Sequence, residues 1–211
     1  MTICMSDLIC VTNRKLCRED FLERIEKIAK NHPKGILLRE KDLSPTEYAL
    51  LAKKVLAICK KHHTLCILHS FIEIAKQEEA SAIHLPLPLL QNMTKQQKNS
   101  FSIIGASCHS LAEALEAEDL GCTYITAGHI FPTDCKKGLP GRGLTFLQEI
   151  CKNVSIPVYG IGGIQKENIS AIHDTGAKGA CIMSGIMQCK DVSSYLKNFE
   201  ENGEKNEISQ K

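Results

Sequence analysis

Short runs of strand-forming residues alternate with longer helix-like stretches along almost the whole chain, and this alternation restricts the fold more than any other feature. The expected strands are Leu8–Thr12, Gly35–Glu40, Leu65–Ser70, Ala82–Leu85, Ser102–Ser107, Tyr124–His129, Pro157–Gly162 and Gly179–Ser184. Most are continuously apolar, the pattern of parallel strands covered on both faces. The fourth is followed by Pro86 and Pro88, residues that interrupt a ladder. Between the strands, Ser44-Pro45-Thr46-Glu47 reads as a capping box with proline in the first turn. It opens a helix whose Tyr48, Leu51, Ala52, Val55, Leu56 and Cys59 share one face. Phe21, Ile25, Ile28 and Ala29 mark an earlier helix, and Ser110-x-x-Glu113 repeats the capping signature before Leu111, Ala114 and Leu115. A shorter helix is expected over 165–175, ending at Gly176.

Repeated βα units leave two solutions, an open doubly wound sheet or a closed barrel. The open sheet would place a glycine-rich turn after its first strand, where this chain has Asn13-Arg14-Lys15. Eight units therefore predict an α/β fold, a single-domain (β/α)8 TIM barrel over residues 1–200, with 201–211 a polar, disordered tail. The 211 residues suit one core. A net charge of +2 gives no reason to expect a nucleic-acid or membrane-surface partner. No apolar stretch approaches the roughly 20 residues needed to span a bilayer. The eleven cysteines include no Cys-x-x-Cys, and several lie in apolar runs, so they read as reduced thiols of a cytoplasmic protein. Self-association into a homo-oligomer is left open.

In such barrels the active site lies where strands end and βα-loops begin. The polar residues there are Arg39, Glu40 and Lys41 after strand 2, His69 and Ser70 after strand 3, Ser107 and His109 after strand 5, and His129 after strand 6. Strands 7 and 8 run into Gly162-Gly163 and Ser184-Gly185, on the strand pair that most often builds a phosphate site, so those four residues are the expected phosphate cradle. Residues 128–143 form a long glycine-rich loop, the kind that serves as a lid or binding loop. Within it Lys136 is a candidate anion contact, balanced by the alternative of a solvated charge. Histidine is the side chain that suits proton transfer near neutral pH, which makes His129 a candidate acid/base, though packing would explain it equally well. Cys135, between Asp134 and two lysines, is a weaker candidate nucleophile.

Gly105-x-Ser107-x-His109-Ser110, Gly128-His129-Ile130-Phe131-x-Thr133-Asp134-Cys135-Lys136-Lys137-Gly138-Leu139, Ile156-Pro157-Val158-x-Gly160-Ile161-Gly162-Gly163 and Met183-Ser184-Gly185-Ile186 resemble the TenI/thiamine phosphate synthase superfamily, as does Arg39-Glu40-Lys41. The resemblance spans residues 8–187 and implies one of two enzymes. A thiamine phosphate synthase joins a pyrimidine methyl diphosphate to a thiazole phosphate with Mg²⁺. A tautomerase-type TenI protein aromatises a thiazole carboxylate phosphate by proton transfer, without cofactor or metal.

The carboxylates a synthase carries after strands 3 and 4 are replaced here by His69-Ser70-Phe71 and Pro86-Leu87-Pro88, and Leu37 stands in place of a glutamine. Arg39, Lys41, Ser107, Thr133 and Lys136 match anion-binding positions of the resembled synthases. His129 stands where synthases have proline, as in tautomerase-type proteins. The resemblance thus favours a thiazole tautomerase, an isomerase needing no metal, with a small phosphorylated thiazole as substrate and His129 as acid/base. Its alternatives are a Mg²⁺-dependent synthase drawing on Glu40, Glu73 or Asp134, and a non-catalytic regulator that binds thiazole or thiamine phosphates.

Overall fold

A computed structural model describes residues 7–133, 136 and 138–204, with side chains to residue 199. Eight strands form a closed parallel barrel in sequential order. They are β1 (Leu8–Val11), β2 (Gly35–Leu38), β3 (Cys66–His69), β4 (Ala82–Pro86), β5 (Ile103–Cys108), β6 (Tyr124–Gly128), β7 (Val158–Ile161) and β8 (Gly179–Ile182). Closure joins β1 to β8 with Ile9 opposite Cys181. The expected (β/α)8 architecture is present, each strand within two residues of its expected bounds.

Alternate strand residues point to opposite faces, and the apolar contacts divide accordingly. Ile9, Val11, Leu37, Ile67, Ala82, Tyr124, Tyr159 and Cys181 pack together inside the barrel. Their neighbours Leu8, Cys10, Ile36, Leu38, Leu68, Ile83 and Ile125 belong to a second layer with helix residues such as Ile25, Ile28, Val55 and Leu147. Burying one such side chain contributes about 1.5–3 kcal/mol, so a strand apolar on both faces is held from both sides.

The helices are α1 (Phe21–Ala29), α2 (Pro45–Lys61), α3 (Ile72–Gln77), α4 (Leu87–Gln91), α5 (Lys95–Lys98), α6 (Leu111–Asp119), α7 (Gly143–Asn153), α8 (Ile169–Asp174), α9 (Ser184–Gln188) and α10 (Val192–Glu204). Ser44 and Glu47 close the expected capping box on α2. Tyr48 of that helix is fully buried; its hydroxyl donates to Leu38 O and accepts from His69 N, both at 2.8 Å, tying α2 to the ends of β2 and β3. On α6 only half the box forms, because Glu113 accepts from His109 N at 2.6 Å rather than from its capping serine. The short helix expected from residue 165 starts at Ile169, after a turn in which Asn168 Oδ1 accepts from Gln165 N at 2.9 Å. The two prolines after strand 4 are both accommodated: Pro86 ends β4 and Pro88 lies in the first turn of α4. Helix α10 packs against α1 and α8 and runs to Glu204; residues 205–211 of the expected tail lie outside the described residues. Among the described residues, nine cysteines are all free, and no helix is long and apolar enough to cross a membrane.

Candidate functional site

At the C-terminal ends of β1 and β2, Thr12, Arg14 and Glu40 build a rigid corner. The Thr12 hydroxyl donates to Glu40 Oε1 at 2.7 Å and accepts from Arg39 N at 3.0 Å. Arg14 donates to Glu40 through its backbone N (3.0 Å) and its guanidinium (3.1 Å), and its guanidinium also reaches Asp42 at 2.6 and 2.8 Å. This corner fixes the segment from which Arg39 and Lys41 project. A cavity of about 240 Å³ opens beside it, lined by Glu40, Lys41, Tyr48, His69, Ser70 and Phe71. Burial holds the Lys41 ammonium below its usual pKa, and the charges of Arg39 and Lys136 lower it further. Lys136, from the loop after β6, thus acts on the mouth that Arg39 and Lys41 enter from β2.

Two neutral imidazoles lie beneath these cations. His69 is 3% exposed, and one ring nitrogen meets Ser70 Oγ at 2.6 Å. His84 is 1% exposed and stacks against it, with ring centroids 6.0 Å apart. His84 Nδ1 meets Tyr124 OH at 2.9 Å, while Nε2 meets Ser107 Oγ at 2.8 Å and lies 3.5 Å from Thr126 Oγ1. Burial, then His84, Arg39 and Lys41, push His69 down to about 2. Burial, then Arg39 and Lys41, push His84 down to about 3. Sequence reasoning passed over His84; its one visible signal was a polar residue inside the apolar run Ala82–Leu85.

His129 follows directly on β6 and is 7% exposed. Its Nε2 lies 3.4 Å from Leu139 O, and its Nδ1 is buried with no hydrogen-bond partner. The loop it opens lies on the end of β7 through Ile130 N to Ile161 O (2.9 Å) and Phe131 N to Gly162 O (3.0 Å). That contact requires glycines. Gly162 has φ +99°, and a Cβ there would lie 2.4 Å from His129 Cβ; at Gly163 a Cβ would lie 2.7 Å from Phe131 Cβ. A Cβ at Gly185 would meet the Tyr195 hydroxyl at 1.9 Å. Each of these glycines therefore has a packing role, whatever else its amide does. Thr133 accepts Lys136 N at 3.0 Å through its carbonyl, and Ser184 begins α9. Asp134, Cys135 and Lys137 lie outside the described residues.

The Mg²⁺ that the synthase resemblance implies does not fit the described side chains. Positions after β3 and β4 hold His69, Ser70 and Pro86, and the Glu40 carboxylate is already taken by Thr12 and Arg14. Glu73 sits on α3 with its side chain 62% exposed, paired to Lys76 at 3.0 Å. Among the described residues no group of three His, Cys, Asp or Glu could hold a metal ion.

A family model described as thiamine monophosphate synthase, TMP-TENI, matches residues 8–186. The chain belongs to this family. A "Putative thiamine-phosphate synthase 2" of Aquifex aeolicus is 38% identical over 181 residues, covering 86% of this chain and 97% of that protein. A "Thiamine-phosphate synthase" of Fusobacterium nucleatum is 36% identical over 197 residues, covering 90% and 95%. Among solved structures, the thiamine phosphate pyrophosphorylase from Pyrococcus furiosus superposes with TM-score 0.81 at 29% identity, covering 95% of this chain and 96% of that one.

These relatives overturn the expected thiazole tautomerase, and with it the cofactor-independent isomerase: both sequence relatives carry thiamine-phosphate synthase names, and the superposed structure is a thiamine phosphate pyrophosphorylase. The expectation rested on the carboxylates missing after strands 3 and 4, on Leu37 in place of a glutamine, and on His129 in place of a proline. The structure gives His129 a packing role, its Cβ resting where Gly162 leaves room.

Proposed function

We propose that this TMP-TENI protein is a transferase of the thiamine-phosphate synthase type, the alternative that the resemblance had left second. It joins a phosphorylated thiazole to a pyrimidine carried on a diphosphate, forming the bond from thiazole nitrogen to pyrimidine methylene and breaking the bond from that methylene to the diphosphate oxygen. The observation that carries this reading is the crowding of Arg39, Lys41 and Lys136 at one mouth above two neutral histidines. Positive charge gathered in this way suits a leaving group that gains negative charge as its C–O bond breaks. Ser107 adds a hydroxyl from the floor. The backbone amides around Gly162, Gly163, Ser184 and Gly185 provide for the phosphate of the thiazole partner, and Thr133 contributes a polar contact from the loop. His129, with one buried ring nitrogen unpartnered, offers a hydrogen bond to whichever substrate reaches it. No carbon-bound proton has to be removed, so it is given no role as a base.

The test supplies thiazole phosphate and pyrimidine methyl diphosphate to the purified protein, with and without added Mg²⁺, and measures thiamine phosphate and released diphosphate together. Equimolar release is expected, and Lys41→Gln should lower kcat/KM by about 10- to 100-fold through the lost charge–charge hydrogen bond. Failure to release diphosphate under either condition would refute the reading.

A further inference from the structure

We propose that His84 is a positioning residue: clamped between Tyr124 and Ser107, it sets the Ser107 hydroxyl as a hydrogen-bond donor toward an anion held in the barrel mouth. This rests on the reading that a diphosphate or phosphate group occupies that mouth.

Proton counting carries the inference. A neutral imidazole has one N–H and one bare nitrogen. Both nitrogens of His84 are engaged, Nδ1 with Tyr124 OH at 2.9 Å and Nε2 with Ser107 Oγ at 2.8 Å. Each hydroxyl can donate or accept, so the chain has two self-consistent senses. In one, Tyr124 donates to Nδ1, Nε2–H donates to Ser107 Oγ, and the serine proton is left to point outward. In the other, Ser107 donates inward to Nε2, Nδ1–H donates to Tyr124, and the serine offers the mouth only lone pairs. A phosphate oxygen accepts hydrogen bonds, so only the first sense receives it.

The surroundings of the ring hold it to this choice. From β3 it meets the His69 ring at 6.0 Å, from β5 Ser107, and from β6 Tyr124 and Thr126, with the charges of Arg39 and Lys41 acting from above. None of these is a carboxylate that would favour an imidazolium. Burial holds the Tyr124 phenol well above its ordinary pKa, so it keeps the proton that the first sense requires it to donate. Gly105 makes room for that tyrosine, since a Cβ there would lie 2.2 Å from Tyr124 Cζ. Residues from three adjacent strands, β4, β5 and β6, therefore cooperate to aim one proton. An anion that binds selects the matching tautomer at the cost of reversing two hydrogen bonds and no heavy-atom movement.

The experiment combines calorimetric titration of inorganic pyrophosphate with nitrogen-15 spectra of histidine-labelled protein. Saturation with pyrophosphate should leave His84 with its proton on Nε2. Ser107→Ala and His84→Asn should each weaken pyrophosphate binding about tenfold, and the double variant should be no weaker than either single one, because the two side chains act as one device. His84→Gln, whose terminal amide reaches the Nε2 position, should restore most of the affinity. A proton on Nδ1 in the complex, or losses that multiply to about a hundredfold in the double variant, overturns the role given to His84 while leaving the anion site standing. Pyrophosphate that fails to bind the wild-type protein removes the anion site, and this inference with it. Should the variants not fold, the tautomer of the wild-type complex decides alone.

Discussion

Lowering the pH from 7 to 5 should destabilise this barrel by several kcal/mol through two side chains, His69 and His84. Both are buried neutral, with pKa values pushed down to about 2 and about 3. In the unfolded chain each returns to about 6.5 and takes up a proton as the pH falls. The stability supplied by their neutral forms is complete above about pH 6.5 and is lost progressively as the pH drops toward the folded values. Between pH 7 and 5 each histidine costs about 2 kcal/mol, so together they remove about 4 kcal/mol. Most domains have about 5–15 kcal/mol in total. The perturbed carboxylates have the same sign but a lower window. Asp42, held down by hydrogen bonds from Arg14 and Lys15, and Glu26, by those from Lys61 and His62, withdraw their contributions only below about pH 4.5. Urea titrations at pH 7.0 and 5.0 isolate the imidazoles, and His84→Asn should halve the difference while m stays constant. A wild-type difference under about 1 kcal/mol, or greater stability at pH 5.0, would show that the pair is charged or hydrated in the folded protein.

Gly162→Ala should cost about 3 kcal/mol, because it combines φ +99° with a Cβ 2.4 Å from His129 Cβ; calorimetry should show Tm lowered by roughly 6–12 °C. Tyr48→Phe strips the buried Leu38 carbonyl and His69 N–H of their shared partner, with an expected loss of about 2–4 kcal/mol in urea unfolding. Ser44→Ala, which breaks an exposed capping box, should lose only about 1 kcal/mol in urea unfolding.

The barrel was legible because its strands are covered on both faces, and a run such as Gly35-Ile36-Leu37-Leu38 has no other good use. The strong caps marked α2 and α6 for the same local reason. Short connectors such as α5, the four polar residues Lys95–Lys98, carry no apolar periodicity to read, although Thr94 and Gln97 cap them. At the site, residues ending strands were easy to nominate because topology alone puts them at the mouth. His84 could not be nominated that way. Its meaning depends on register, which sets Gly105 beside it and brings Tyr124 opposite Gly105 one strand further on. The glycines after β7 were read as a ligand's need for close approach, but a neighbouring stretch of chain makes the same demand. Composition cannot tell one visitor from the other.

Because β8 supplies the hydrogen-bonding edge on which β1 rests, the ring has no finished form until both ends of the sequence are present. On a ribosome the first strand emerges with one edge unpaired and waits for Ala180, Cys181 and Ile182, among the last core residues made. Nascent chains arrested before that point should therefore expose strand edges to chaperones and proteases, and protection should come abruptly, near the end of synthesis.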